Sequence, residues 1–157
     1  ASNYPSIATD YGYIDAFTQW ITRNPEHYDV VVTSNMFGDI ATDLASILQG
    51  GMGMAGSGNI GDDHAFFEPV HGSSPKYAGM NKVNPIASIN SVQMMTDWLG
   101  RRNQDESLLE ISKLIEQSVE DHLKEGKLLT YDLGGKASCS DVGDAIAANL
   151  ANKLSEL

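Results

Sequence analysis

The chain has 157 residues, 41% of them apolar, and a net charge of -11 from 21 acidic and 10 basic side chains. That length supports a packed core, the charge offers no basic face for nucleic acid, and no apolar run nears the ~20 residues of a membrane span. Cys139 is the only cysteine, which excludes an internal disulfide or a cysteine-rich zinc site and fits a reducing compartment.

The opening Ala-Ser-Asn-Tyr-Pro carries no start methionine and no secretory signal, so a stretch beginning inside a longer protein is expected. Residues 11–23 read as a helix with Ile14, Phe17, Trp20 and Ile21 on one side, ended by Asn24-Pro25, because proline disfavours helix in the residue before it. The valine run at 29–34 reads as a buried strand, and 39–48 as a helix. The glycine-dense stretch from Gly50 to Asp63 reads as an irregular connection. Residues 65–70 read as a short strand leading into a loop over 71–84.

Pro85 in a first turn opens a helix to Leu99, which Gly100 closes. A longer helix spans about 106–124, with Leu108, Ile111, Ile115, Val119 and Leu123 at helical spacing and Gly126 as its stop. Residues 128–132 read as a short strand, and Ser140 as the cap of a final helix carrying Val142, Ala145, Ile146, Asn149 and Leu150. Alternating strands and helices give an α/β class. No internal repeat is present.

Asp39 and Asp43 carry the most chemistry. Four residues apart on a helix, their carboxylates share one face, about 5–6 Å apart at Cβ. Mg²⁺ takes such oxygen ligands together with water and substrate oxygens. The plainer alternative is that Asp39 caps the helix and Asp43 is a solvated first-turn acid. Asp15, on the first helix, is by itself an ordinary helical acid.

Gly51, Gly53 and Gly56 satisfy G-x-G-x-x-G, but a helix precedes them and another Gly-rich stretch follows. The Rossmann mechanism needs a strand before and a helix straight after, so the match is rejected. His71-Gly72-Ser73-Ser74-Pro75-Lys76-Tyr77 is a better ligand loop. Its small residues admit close backbone approach, His71 and Tyr77 offer flat polar-tipped surfaces, and Lys76 offers charge for phosphate. A surface loop with an incidental lysine is the alternative. His27, His64 and His122 are expected at the surface, and Cys139 in packing.

With these motifs in place, the chain resembles the C-terminal part of the isocitrate/isopropylmalate dehydrogenase family. The resemblance rests on YIDAFTQW (13–20), DVVVTSNMFGDIATD (29–43), the stretch from 50 to 85 that contains FEPVHGSSPKYAG, and TYDLGG (130–135), in order over about residues 11–148. It implies an open mixed sheet flanked by helices, not a Rossmann fold, with only part of that fold present. Residues 1–49 would be part of the small dimer-forming domain, and 50–157 the C-terminal part of the large dinucleotide-binding domain.

The resemblance also implies roles. Asp39 and Asp43 match paired metal-binding aspartates, for Mg²⁺ or Mn²⁺. Asp15 matches an aspartate that reaches the partner subunit's metal site, where it takes part in catalysis. His71, Gly72, Ser73, Ser74, Pro75, Lys76 and Tyr77 match the loop holding the adenosine half of the dinucleotide. Asn84 matches an adenine contact, and Glu68 a glutamate near the nicotinamide end. Lys76 stands where NAD-using members carry an aspartate, and the Lys76-Tyr77 pair with Tyr131 resembles NADP-dependent isocitrate dehydrogenases. Gly135 departs from these, which carry arginine there. NADP is therefore expected over NAD.

The implied reaction oxidises a 2-hydroxy di- or tricarboxylate, passes hydride to the nicotinamide and releases CO₂. Isocitrate to 2-oxoglutarate, a step of the tricarboxylic acid cycle, is the expected case, with isopropylmalate or a related acid as the alternative. A substrate clamp needs arginine forks, yet Arg23, Arg101 and Arg102 all sit at helix ends. The family's proton-handling tyrosine and lysine match nothing in this stretch, so the isolated chain is expected to be inactive. A dimer, or a complex with an N-terminal half, is expected, in the cytoplasm or the mitochondrial matrix. A non-catalytic dinucleotide-binding or assembly subunit is the alternative of a different class.

Overall fold

A computed structural model describes residues 3–156. It separates into two compact units, one ending at Leu48 and the other starting at Gln49.

In the first unit, α1 (Ile14–Arg23) starts three residues later than its apolar spacing suggests, because Tyr13 is extended at ψ 139°. Ile21 is its buried residue, and Phe17 meets Tyr28 edge to face, ring centroids 5.1 Å apart. Asn24-Pro25 ends the helix as expected, and Pro25 opens a short 3₁₀ turn.

The valine strand expected at 29–34 does not form. Val30 and Val32 are 84% and 92% exposed, and no strand pairs with this segment among the described residues. A strand exists only through hydrogen bonds to a neighbour, so an unpartnered valine run stays extended and bare.

The second helix, α2 (Asn35–Ala45), begins four residues before the expected Asp39. Ser34 is the extended cap residue, and its carbonyl accepts the Gly38 N–H at 2.8 Å. Residues 35–38, left between the expected strand and helix, are therefore already helix.

The second unit opens with a correction in the glycine-rich stretch. Residues Gly56–Ile60 form strand β1, paired antiparallel with β2 (Ala65–Pro69) in a register from Gly56↔Pro69 to Ile60↔Ala65. Its glycines are a packing surface rather than linker. A Cβ on Gly56 would lie 3.2 Å from the Ser91 backbone nitrogen, and one on Gly58 3.0 Å from the Phe67 ring. A strand face made of Gly56 and Gly58 lets the helix lie this close.

That helix is α3 (Ile86–Asn103), which runs through Gly100 and stops at the left-handed Gln104. Gly100 is buried where Leu109 of α4 (Glu106–Glu125) approaches, at 2.8 Å from a would-be Cβ. It permits helix–helix contact rather than ending a helix. Asp105 caps α4, accepting the N–H groups of Ser107 and Leu108, and Gly126 at φ 65° stops it as read.

The strand expected at 128–132 is absent. Tyr131–Leu133 form a 3₁₀ turn instead, and the Leu129 carbonyl accepts Ala137 N–H at 2.9 Å. The last helix, α5 (Cys139–Leu154), is capped by Ser138 rather than Ser140, in a reciprocal box with Asp141. Met54, Ile86, Val119, Val142 and Ile146 form the core, with Ile89, Leu123, Leu133 and Ala137 packed around it. His122 is a further correction: it is 3% exposed, on the inner side of α4. No described helix is long and apolar enough to cross a membrane.

Candidate metal and dinucleotide sites

Asp39 and Asp43 sit in the interior of α2, whose first turn holds no acid. The cap reading of Asp39 and the first-turn reading of Asp43 both fail, since Ser34 is the cap residue. Both carboxylates are exposed. Among the described residues none has a Lys, Arg or His nitrogen within 4.0 Å of it. Only the Asn35 amide reaches Asp39, donating at 2.9 Å.

Electrostatically this helix is poorly arranged. Like charges at this spacing destabilise an isolated helix by about 0.2–0.5 kcal/mol, and Asp43 lies near the end where the backbone dipole is negative. A hard divalent cation would relieve both, so the pair fits such an ion. Asp15 is exposed in the first turn of α1, its carboxylate accepting the Ala16 N–H at 2.8 Å. It does not join the other two, and among the described residues no three His, Cys, Asp or Glu side chains form a metal-binding group.

The loop from His71 is built on left-handed backbone. Gly72 (φ 66°) and Gly79 (φ 73°) flank Ser74 (φ 45°), and a Cβ on either glycine would touch nothing within 4 Å. Pro75–Tyr77 form a 3₁₀ turn between them. The loop backbone is therefore open to a ligand beside both glycines, and Ser73 between them is exposed. His71 Nδ1 donates to the Gly72 carbonyl at 2.7 Å, leaving Nε2 as a buried acceptor without a partner. An orphaned acceptor beside open backbone fits the polar edge of a bound nucleotide.

Tyr77 and Tyr131 come together from 54 residues apart in sequence, ring centroids 5.9 Å apart. The Tyr131 phenol is held above its ordinary value, chiefly by the Tyr77 hydroxyl and further by partial burial and Asp132. It therefore remains a protonated donor at neutral pH. Lys76 lies 5.5 Å from the Tyr77 ring centroid.

Asn84 is 5% exposed and its side chain is engaged within the protein. Its oxygen accepts the Ile86 N–H at 3.0 Å and its amide donates to Asp132 at 3.0 Å. It starts α3 and ties the loop to the Tyr131 turn. Glu68 is exposed on β2, opposite Ser57.

Sequence reasoning passed over Asp132, Asn81 and Lys82. Asn81 (φ 49°) bonds to Ser140 through both ends of its amide, at 2.8 and 3.0 Å, and its carbonyl accepts the Cys139 N–H at 2.9 Å. A left-handed asparagine beside a lysine is the only local signal of that latch. A shallow depression at Asp121, Asn149 and Lys153 holds none of these residues and is crossed by the Lys153–Asp121 ion pair at 2.7 Å.

Among the described residues, two of the three arginines are already engaged by polar groups. Arg101 pairs with Asp97 at 2.7 Å, and Arg102 donates to the Asp62 carbonyl at 2.5 Å while lying over Trp98. Arg23 stacks on Trp20 at 5.6 Å.

Comparison with known proteins places the chain. A family model described as isocitrate/isopropylmalate dehydrogenase matches residues 1–146. A homoisocitrate dehydrogenase of Methanocaldococcus jannaschii is 44% identical over 97% of this chain and 41% of its own length. A 3-isopropylmalate dehydrogenase of Beutenbergia cavernae is 42% identical over 96% of the chain and 40% of its own. The crystal structure of isocitrate dehydrogenase from Methylococcus capsulatus superposes with a TM-score of 0.84 at 34% identity, covering 95% of this chain and 42% of that one. The chain thus spans about two fifths of the length of the curated relatives it matches. It is a member of the isocitrate/isopropylmalate dehydrogenase family, with that family's α/β fold in part.

Proposed function

We propose that this chain supplies the metal ligands and the adenosine-side cofactor contacts of a decarboxylating 2-hydroxy acid dehydrogenase. The observation that carries the reading is the exposed Asp39–Asp43 pair on α2, free of any neighbouring cation among the described residues. Mg²⁺ or Mn²⁺ would be held there, with Asp15 contributed from a partner subunit. When bound, such an ion supplies Lewis-acid stabilisation to oxygens of the substrate. The residues up to 49 belong in this reading to the dimer-forming domain, and those from 50 to the dinucleotide domain.

Gly72 to Tyr77 bind and orient the adenosine half, His71 Nε2 accepting from it, and Glu68 lies toward the nicotinamide. Lys76, with Tyr77 and Tyr131, favours a ribose 2′-phosphate, so NADP is preferred to NAD. Isocitrate, oxidised and decarboxylated to 2-oxoglutarate, is the substrate. Isopropylmalate or homoisocitrate is the second reading, favoured by the identities of 42% and 44% to enzymes so named. Arg23, Arg101 and Arg102 all lie on helices near their ends, and in this reading the substrate's carboxylates are clamped by other residues.

Two measurements test the reading. Calorimetry with Mn²⁺ on the full chain should give binding that Asp39→Asn and Asp43→Asn each weaken at least tenfold, as expected when a ligand with about 1.4 kcal/mol or more is removed. Steady-state assays of the chain complemented with a clamp-bearing N-terminal half, run with isocitrate, isopropylmalate and homoisocitrate against NADP and NAD, should show the isocitrate–NADP pair leading. No metal binding and no dinucleotide binding would favour an assembly role.

A further inference from the structure

Lys82 has a role that neither the loop's motif nor the comparisons assign. Its ammonium lies 4.5 Å from the Tyr131 ring centroid and 5.7 Å from that of Tyr77. Lys76, six residues earlier, lies 5.5 Å from the same Tyr77 ring. Two lysines are therefore gathered around one pair of tyrosines.

The surroundings make this unusual. The chain carries about twice as many acids as bases, and Arg101, Arg102, Lys113, Lys124, Lys127 and Lys153 each have a carboxylate within 4.0 Å. Among the described residues Lys76 and Lys82 have none, nor do Arg23 and Lys136, but only Lys76 and Lys82 lie together against the same aromatic pair. Like charges gathered beside one aromatic pair repel, and cation–π attraction at an exposed site returns only about 0.5–1 kcal/mol each. An anion that both flexible ammoniums reach beside the tyrosines would replace that repulsion with two charge-assisted hydrogen bonds. The phenol of Tyr131, protonated at neutral pH, would add a neutral donor.

We infer that Lys82 is a specificity-determining residue, a second ammonium that together with Lys76, Tyr77 and Tyr131 holds a phosphomonoester dianion on the ribose of the bound dinucleotide. The inference rests on the reading of the 71–77 loop as the adenosine site. It goes beyond that reading by assigning half of the phosphate's positive charge to a residue outside the loop's motif. Asn81, latched to Ser140 by both ends of its amide, holds the backbone next to Lys82 and so sets where its stem begins.

The test is calorimetric titration of the full chain with adenosine 2′,5′-bisphosphate and with 5′-AMP, which differ only in the 2′-phosphate. The wild type should prefer the bisphosphate. Lys82→Met, which keeps most of the stem, should reduce that preference about tenfold, the loss expected for one charged hydrogen bond, and leave 5′-AMP affinity unchanged. Lys82→Arg should restore most of the preference, and added salt should erode it in the wild type.

If Lys82→Met keeps the full preference while Lys76→Met loses it, the inference is overturned and the adenosine reading stands. Equal loss for both ligands in Lys82→Met would make Lys82 a packing residue and also overturn it. A wild type that binds both ligands without preference would overturn the NADP reading and this inference together.

Discussion

A pair of carboxylates four residues apart on an exposed helix face is a small liability to an isolated helix, and α2 carries one with the Asn35 amide as its one partner among the described residues. Removing one charge should therefore help the fold while harming the site. Asp43→Asn is expected to raise stability by a few tenths of a kcal/mol, read as a higher urea midpoint without metal. In Mn²⁺ the order should invert, because an ion bound only to the folded wild type stabilises it by mass action. A variant that loses stability in both conditions would show that Asp43 is structural. Gly135 offers a second residue-scale prediction. Its would-be Cβ falls 1.9 Å from the Leu129 carbonyl oxygen, so Gly135→Ala should cost about 1–3 kcal/mol, the range for overpacking, by denaturant unfolding. The same close approach leaves no room for a longer side chain at this position. Asp39, Asp43 and Lys76 were legible as residues because spacing and charge survive in a string. Lys82 was not, since its value depends on Tyr131, which only folding brings near.

At the scale of elements, caps explain most of the boundaries. Asp105 accepts two N–H groups at the start of α4, so Asp105→Ala should lower stability by about 1 kcal/mol without changing the ligand affinities of the 71–84 loop. Asp141 closes the capping box of α5, and its bonds with Ser138 hold its carboxyl below the ordinary carboxylate value. A depressed folded value means that the stabilisation is fully present above the unfolded value, near 4, and is lost as pH falls through the lower one. Acid titration of Asp141→Asn should therefore show a weaker pH dependence below about pH 4 than the wild type. Helix α4 was readable from its periodic apolar stripe and its Gly126 stop, and α3 and α5 were read in place but with a wrong stop (Gly100) and a wrong cap (Ser140). Strand β1 was missed because its glycines are chosen by the helix crossing it. The expected strand at 29–34 failed for the complementary reason, apolar content without a hydrogen-bonding neighbour. Residues 128–132 instead turn back on themselves, the Leu129 and Thr130 carbonyls accepting from Ala137, Leu133 and Gly135.

At the scale of the molecule, the first unit keeps few of its large apolar side chains inside. Tyr11, Tyr13, Val30 and Val32 are each more than 80% exposed, and an extended valine segment with bare backbone groups invites pairing with another chain. The isolated chain should self-associate, and Val32→Lys should reduce its mass by light scattering with little change in melting temperature. A monodisperse monomer in the wild type would contradict this. By itself the sequence determined the class, the helical periodicity, the carboxylate pair and the small-residue loop from His71, because these are encoded by residues near one another in the chain. The tertiary structure alone decided that the Gly-rich stretch is a strand, that Asn84 is turned inward, and that Lys82 meets Tyr131. Each of these depends on which distant backbone arrives beside it, and local chemistry carries no record of that.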